Sequence, residues 1–144
     1  MSDVDTFIEV LLSRGSEAKS PLKAIQIAEI ENKKGFRLPE SLMDFYKKTD
    51  GLTSGEAVLS LWPIDDLEKV VPGFMRSEDE VVLRSIAFAD YLIYSRIFFF
   101  DPVNNRIYRI DADGNNKKLI SDNFDNFKKL VIEKDKLLDL WEDN

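Results

Sequence analysis

The sequence predicts a single α+β domain with N-terminal helices, a central antiparallel sheet of about four to six strands and a C-terminal helix. Apolar residues recur at helical spacing towards both ends of the chain, whereas Ile, Phe and Tyr are concentrated in short runs in the middle. Short turns separate those runs, which favours antiparallel pairing because parallel strands need long crossover connections. The length of 144 residues fits one domain, so we expect residues 1–144 to form one unit.

The first part of the chain carries the signals of two helices. Residues 5–13 form a short amphipathic pattern, followed by a polar loop over residues 14–20. Ser20-Pro21 then predicts a helix start, because Ser is a good N-cap and Pro is tolerated at the first helical position. This second helix should end at Gly35 in a left-handed cap. The residues expected on its buried face are Ala24, Ile27, Ala28 and Ile30.

A third helix is predicted to begin at Leu38-Pro39, where the missing N–H of Pro39 does no harm. Its apolar residues fall at positions i, i+3 and i+4, which places them on one buried face. These residues are Leu42, Phe45 and Tyr46. Gly51 is expected to close the helix, so that two successive helices each begin at a proline and end at a glycine.

The middle of the chain has the patterns of strands and turns. The expected strands are residues 57–62, residues 85–100 as one or two strands, residues 107–111 and residues 118–121. Pro63 ends the first strand, and a helical turn is expected over residues 64–70. Tight turns are predicted at residues 101–105 and at Asp113-Gly114, a dipeptide typical of hairpins.

A C-terminal helix is predicted from Asp122, which is a suitable N-cap residue. Apolar residues recur along it at helical spacing and should face the core. They are Phe124, Phe127, Leu130, Val131, Leu137, Leu138 and Trp141.

The composition argues against several kinds of catalytic site. The chain has no cysteine and no histidine, which removes disulfides, thiol catalysis, and the commonest metal ligand and general base. It also lacks a nucleophile elbow and a phosphate-binding glycine loop. The adjacent Asp65 and Asp66 side chains would point apart in an extended chain, so by themselves they do not form a catalytic carboxylate pair for glycoside hydrolysis. We therefore expect no enzyme activity, no metal and no cofactor. An enzyme or a small-molecule carrier is the least favoured class.

The acidic character of the chain restricts its partners. Asp and Glu outnumber Lys and Arg by 27 to 20, giving a net charge of −7 at pH 7. Sequence-independent binding of nucleic acid needs a basic surface, so we expect no direct nucleic-acid binding. The acidic N-terminus lacks the apolar run of a secretory signal, and no stretch approaches the roughly 20 apolar residues of a spanning helix. The expected location is cytoplasmic, without a membrane contact.

Two sets of residues are candidates for binding a protein partner. The first set is acidic and would steer a basic partner. It comprises Asp65, Asp66, Glu68, Glu78, Asp79 and Glu80. The second set comes from residues 97–100. These residues are all apolar and lack the alternation of apolar and polar residues expected in a strand with one solvent-exposed face. We expect Phe98 or Phe100 to be exposed at an interface, the alternative being a central strand covered on both faces. Aromatic strands of this kind would allow a weak homodimer as well as a monomer.

The spacing of Asp111, Asp113 and Asn115 resembles the first positions of a calcium-binding loop. Asn116 stands where such a loop requires glycine, and the predicted flanking elements are strands rather than helices. A tight turn explains Asp113-Gly114 without a metal, and we expect a turn here.

Residues 29–51, EIENKKGFRLPESLMDFYKKTDG, resemble the opening signature of the SUKH superfamily of Smi/Knr-like proteins. The family pattern is a Glu, a Gly four residues later, an apolar-x-Leu-Pro segment and an apolar helix that ends in Asn-Gly. In this chain the pattern falls on Glu31, Gly35, Phe36, Leu38, Pro39, Leu42, Phe45 and Gly51. The chain departs from it at Lys34, where an apolar residue is usual, and at Asp50, where Asn is usual.

Later segments extend the resemblance over roughly residues 25–132. Residues 59–67 and 86–90 are similar to two strand regions of the family, residues 99–108 to its hairpin, and residues 124–130 to its terminal aromatic helix. The resemblance implies an α+β binding module without catalytic residues. Bacterial members neutralise toxins, frequently nucleases, and fungal members regulate cell-wall glucan synthesis through protein contacts.

The resemblance leaves two functions open for this chain. The first is an immunity protein that covers a basic, nuclease-type toxin domain. The second is a regulator of cell-wall or glucan synthesis that acts through protein–protein contacts. Fungal-type regulators carry long disordered extensions. Because none is visible in this sequence, we favour the hypothesis of an immunity protein.

Overall fold

A computed structural model describes residues 3–53, 59–69, 79–91, 96–111 and 113–133 of the protein. The described part contains five α-helices and one 3₁₀ turn, Ile64–Asp66. The helices are α1 (Asp3–Ser13), α2 (Ala24–Lys34), α3 (Glu40–Tyr46), α4 (Glu80–Arg84) and α5 (Phe124–Glu133).

In the described residues eight strands form one antiparallel sheet, and the predicted α+β fold is confirmed. The strands are β1 (Glu17–Ala18), β2 (Leu52–Thr53), β3 (Leu59–Leu61), β4 (Glu68–Lys69), β5 (Ile86–Tyr91), β6 (Arg96–Phe100), β7 (Ile107–Asp111) and β8 (Lys118–Ser121). Their order is β1-β2-β3-β5-β6-β7-β8, and β4 also pairs with β5. The sheet has more strands than expected because β1, β2 and β4 are two residues long, too short for a period-two pattern.

The start of α2 differs from the prediction. Ser20-Pro21 does not open the helix, which begins at Ala24 after Lys23. The preceding segment is held by tertiary hydrogen bonds: the Leu22 N–H donates to the Tyr46 carbonyl at 3.0 Å, and the Ser20 carbonyl accepts from Asp50 at 3.1 Å. Those bonds outweigh the local cap signal of Ser and Pro.

The buried face of α2 is narrower than expected. Ile27 is fully buried and Ile30 is half-buried, but Ala24 and Ala28 are exposed, so the prediction for the two alanines was wrong. Ile27 is the fully buried residue of this helix. Ile25 is 66% exposed.

The glycines after α2 and α3 have different roles. Gly35 has φ +78° and is the left-handed cap that the sequence predicts. The helix α3 begins after Pro39 and buries the expected apolar stripe, but it ends at Tyr46, and Lys47 keeps a right-handed conformation. Gly51 therefore does not cap the helix. It lies against the backbone that follows β3, as described below.

Strands β5 and β6 form the centre of the sheet and are covered on both faces. Phe98 and Phe100 are both 0% exposed, so the expectation that one of them is exposed was wrong. Phe98 packs against Phe127 of α5, with ring centres 5.4 Å apart. On the opposite face Phe99 stacks on Tyr108 at 5.5 Å. The alternative prediction, a central strand covered on both faces, is the one that holds.

Two other predicted boundaries also differ. Residues 64–70 were expected to form a helical turn, but only Ile64–Asp66 do, because Glu68 and Lys69 pair with β5. The N-cap of α5 is Asn123 rather than Asp122, since the Asn123 side chain accepts a hydrogen bond from the Asn126 N–H at 2.8 Å. Residues 57–58, Leu137, Leu138 and Trp141 lie outside the described residues.

Candidate functional site

Residues 31–39, called here the motif corner, connect α2 to α3. The Glu31 carboxylate accepts a hydrogen bond from the Leu38 N–H at 2.8 Å and closes the loop. The Gly35 N–H donates to the Glu31 carbonyl at 2.8 Å, which completes the helix cap. Leu38 and Pro39 are buried below this loop. The Glu-Gly-Leu-Pro spacing thus has a local structural cause.

The two departures from the family pattern also have structural partners. The Lys34 ammonium donates to the carbonyls of Asp65 and Leu67, the latter at 3.0 Å, and so attaches α2 to the 3₁₀ turn. The Asp50 carboxylate accepts from the Ile64 N–H at 2.8 Å. Since that interaction needs only an acceptor oxygen, Asp at position 50 serves as well as Asn.

A chain of buried hydrogen bonds joins α3 to the sheet. The Tyr46 hydroxyl donates to the Trp62 carbonyl at 2.6 Å, and the Trp62 indole N–H donates to the Asp90 carboxylate at 2.6 Å. Burial raises the pKa of Tyr46 well above its usual value, and the charges of Asp50 and Asp66 act in the same direction. The pairing of Trp62 with Asp90 was not predicted, because 28 residues separate the two in sequence.

The acidic candidates fall into two groups. Asp65, Asp66 and Glu68, called here the acidic segment, are exposed on the 3₁₀ turn and β4. Among the described residues no ion pair involves their carboxylates. Asp79 has a structural role instead. Its side chain caps α4 and accepts from the Lys117 ammonium at 2.7 Å, and this hydrogen bond is the main reason its pKa is lowered.

The structure does not bring these two acidic groups together. The acidic segment lies at β4, whereas Lys117, the partner of Asp79, directly precedes β8. These two strands are not neighbours, because β5, β6 and β7 lie between them in the sheet. Glu80 is exposed beside Asp79, and Glu78 lies outside the described residues.

A cavity of about 640 Å³ opens beside the motif corner. It lies between the end of α2, strands β4 and β5, and the turn after β6. Its lining residues include the apolar side chains of Phe36, Ile86 and Pro102 and the charged side chains of Glu31, Arg37, Lys69 and Arg84. The sequence analysis missed this cavity because its walls come from four separate segments.

Arg84, on one wall of the cavity, forms a two-point ion pair with Asp101. Its guanidinium donates to both carboxylate oxygens, at 2.9 and 2.7 Å. Asp101 is fully buried and also accepts from the Val103 N–H at 3.0 Å. The Arg84 hydrogen bonds are the largest cause that lowers the pKa of Asp101. This pair fixes the turn after β6 to the end of α4.

Replacing Arg84 by methionine should lower the free energy of unfolding at neutral pH. It should also make that free energy less sensitive to a fall in pH. A carboxyl whose pKa is lowered by folding stabilises the native state above its unfolded pKa of about 3.9, and that stabilisation is lost as pH falls through the folded pKa. Urea unfolding should therefore show a lower midpoint for Arg84→Met at pH 7, with the difference shrinking below about pH 4.

The matched control is Lys48→Met. Its ion pair with Asp5 is longer, 3.5 Å, and the two side chains are 51% and 35% exposed, so its removal should have little effect at any pH. An Arg84→Met difference that stays constant from pH 7 to the acid limit would contradict the role assigned to Asp101.

The segment that resembles a calcium loop forms a turn between β7 and β8. The Asp111 carboxylate interacts with Arg96 at 3.2 Å and with the Asn116 amide at 2.7 Å, and the Gly114 N–H donates to the Asp111 carbonyl. Within the described ranges no three acidic side chains converge on a point suited to a metal ion. None of the helices in those ranges has the length and apolar character of a membrane span.

Comparison with known protein families identifies the chain. The sequence profile of the SMI1 / KNR4 family (SUKH-1) matches residues 21–129, about three quarters of its length. That match includes the motif corner, the acidic segment and the start of α5. No curated protein matches the chain. This match covers most of the chain and agrees with the resemblance seen in the sequence. The chain therefore belongs to the SMI1 / KNR4 family (SUKH-1).

Proposed function

We propose that the protein is a non-catalytic binding module that neutralises a basic, nuclease-type toxin by covering it. The SMI1 / KNR4 (SUKH-1) family is associated with protein–protein interaction, which supports the general class. The observation that carries the finer proposal is the acidic segment, because its three carboxylates are exposed in a chain of net charge −7.

The acidic segment is well placed for contact with a rigid partner surface. Its 3₁₀ turn is held by Lys34 from α2 and by the Asp50 carboxylate, and β4 is paired with β5. The carboxylates therefore project from an ordered scaffold, and little conformational entropy is lost when a partner binds. Nuclease domains need cationic clefts to hold their substrates, and such a cleft is complementary in charge to this segment.

The role of the acidic segment can be tested by the triple variant Asp65→Asn, Asp66→Asn, Glu68→Gln. We expect it to bind a basic toxin domain encoded by a neighbouring gene with an association rate about tenfold lower at low salt. The difference should shrink as the ionic strength rises, because salt screens exposed charges. Stopped-flow or surface-plasmon measurements of the association rate at several salt concentrations provide the readout.

The control variant is Glu9→Gln, Asp44→Asn, Glu133→Gln, which removes the same number of charges from exposed positions elsewhere. It should leave the association rate close to that of the wild type. Equal rates for both triple variants would remove the acidic segment from the interface. Failure of the protein to co-purify with any neighbouring toxin domain would overturn the immunity role, and a stable complex with a cell-envelope synthesis protein would replace it by the regulatory one.

A further inference from the structure

The cavity beside the motif corner has the opposite charge to the protein as a whole. Its lining contains three cations, Arg37, Lys69 and Arg84, and one carboxylate, Glu31, in a chain whose net charge is −7. A positive concavity on an acidic protein focuses the local field on anions. The volume of about 640 Å³ also falls in the range of ligand-binding cavities.

Two of the three cations are available to a ligand. Arg84 is neutralised by Asp101, and the Glu31 carboxylate is held by the Leu38 N–H. Arg37 and Lys69 are exposed, and neither takes part in an ion pair with another described residue. Because side chains alternate along a strand, Lys69 faces the cavity while its neighbour Glu68 points away.

Two exposed apolar side chains, Ile25 and Val103, called here the rim residues, lie close along the chain to residues that line the cavity. Ile25 is 66% exposed, and it lies one helical turn before Ala28, a lining residue. Val103 is 71% exposed and follows Pro102, another lining residue. These are the two most exposed large hydrophobic side chains in the described part of the chain. A small inorganic anion would not use the rim residues, whereas a polypeptide with apolar side chains beside its acidic ones would cover them.

We propose that this cavity binds an acidic side chain of a protein partner, presented on a short segment with apolar residues on either side. Arg37 and Lys69 pair with the carboxylate, Phe36 and Ile86 contact its aliphatic stem, and Ile25 and Val103 receive the flanking apolar residues. This goes beyond the proposed function, because the site has the opposite charge to the acidic segment and does not require the partner to be a toxin.

The experiment is a titration of the ¹⁵N-labelled full chain with the blocked tetrapeptide Leu-Glu-Glu-Leu, followed by amide chemical shifts. We expect saturable shifts at Gly35, Phe36, Arg37 and Lys69, together with the rim residues Ile25 and Val103. The blocked peptide Leu-Gln-Gln-Leu should bind about tenfold more weakly, because it keeps the shape and loses the charge. Inorganic phosphate should bind more weakly than Leu-Glu-Glu-Leu and leave the rim amides unshifted.

Two double variants with equal charge changes make the test specific. Arg37→Gln with Lys69→Gln should weaken binding of Leu-Glu-Glu-Leu about tenfold, whereas Lys33→Gln with Lys118→Gln should change it less than about twofold. The proposal is overturned if the two peptides bind equally, if phosphate binds as tightly as Leu-Glu-Glu-Leu, if both double variants behave alike, or if no cavity amide shifts. None of these outcomes depends on whether the acidic segment binds a toxin.

Discussion

Replacing Gly51 by alanine is expected to destabilise the protein by about 2–5 kcal/mol. Gly51 has φ +93°, a conformation that costs an L-residue about 1–2 kcal/mol. An added Cβ would also lie 2.6 Å from the Leu61 carbonyl oxygen and 2.9 Å from the Pro63 nitrogen. Both atoms belong to backbone at the end of β3, where Leu61 pairs with Leu52 of β2, so overpacking adds about 1–3 kcal/mol. Urea unfolding followed by circular dichroism measures the loss.

Gly35→Ala is the matched control for this effect. Gly35 also has a positive φ, +78°, but nothing lies within 4 Å of the added Cβ. Its cost should therefore be the conformational part alone, about 1–2 kcal/mol. Equal losses for the two variants would show that close packing at Gly51 does not matter.

Truncation of Phe98 to alanine should destabilise the protein by about 3–5 kcal/mol, the usual range for a fully buried Phe. Phe98 is 0% exposed, and its ring packs against Phe127 of α5. For a domain of this size the loss corresponds to a fall in Tm of roughly 10–17 °C. A residue that only contacted a partner would leave Tm unchanged and lower the affinity.

Leu119→Ala on β8 is the control that tests whether truncation of any apolar side chain in the sheet lowers stability as much as Phe98→Ala. Leu119 is 46% exposed, and its removal should change the free energy of unfolding by less than about 1 kcal/mol. Retention of the wild-type Tm by Phe98→Ala, with a loss of partner binding, would restore Phe98 to the interface and contradict the packing described above.

Features that depend on neighbours in sequence were predicted well. The cap at Gly35 follows from a local requirement for positive φ, and the turn at Asp113-Gly114 follows from the same requirement, since Gly114 has φ +89°. The strands that flank this turn, β7 and β8, also have the predicted bounds. In each case the energy that selects the conformation comes from residues a few positions apart.

Features that depend on distant partners were predicted poorly. Ser20-Pro21 has the chemistry of a helix start, yet its backbone bonds to Tyr46 and Asp50 hold it outside α2. The run of residues 97–100 would have the same sequence pattern in a strand with one solvent-exposed face and in a strand buried on both faces. Only the packing of Phe98 against α5 distinguishes these two arrangements.

The sequence by itself determined the fold class, the family, the motif corner and the acidic charge of this protein, because helix caps, turn residues and composition act locally or as sums over the chain. The tertiary structure alone decided which charges lie together. It leaves the acidic segment exposed, joins Asp79 to Lys117, buries Asp101 against Arg84, and places Arg37 and Lys69 on the walls of one cavity. The physical reason is that electrostatic interaction depends on distance in space, and sheet pairing brings together residues that the sequence separates.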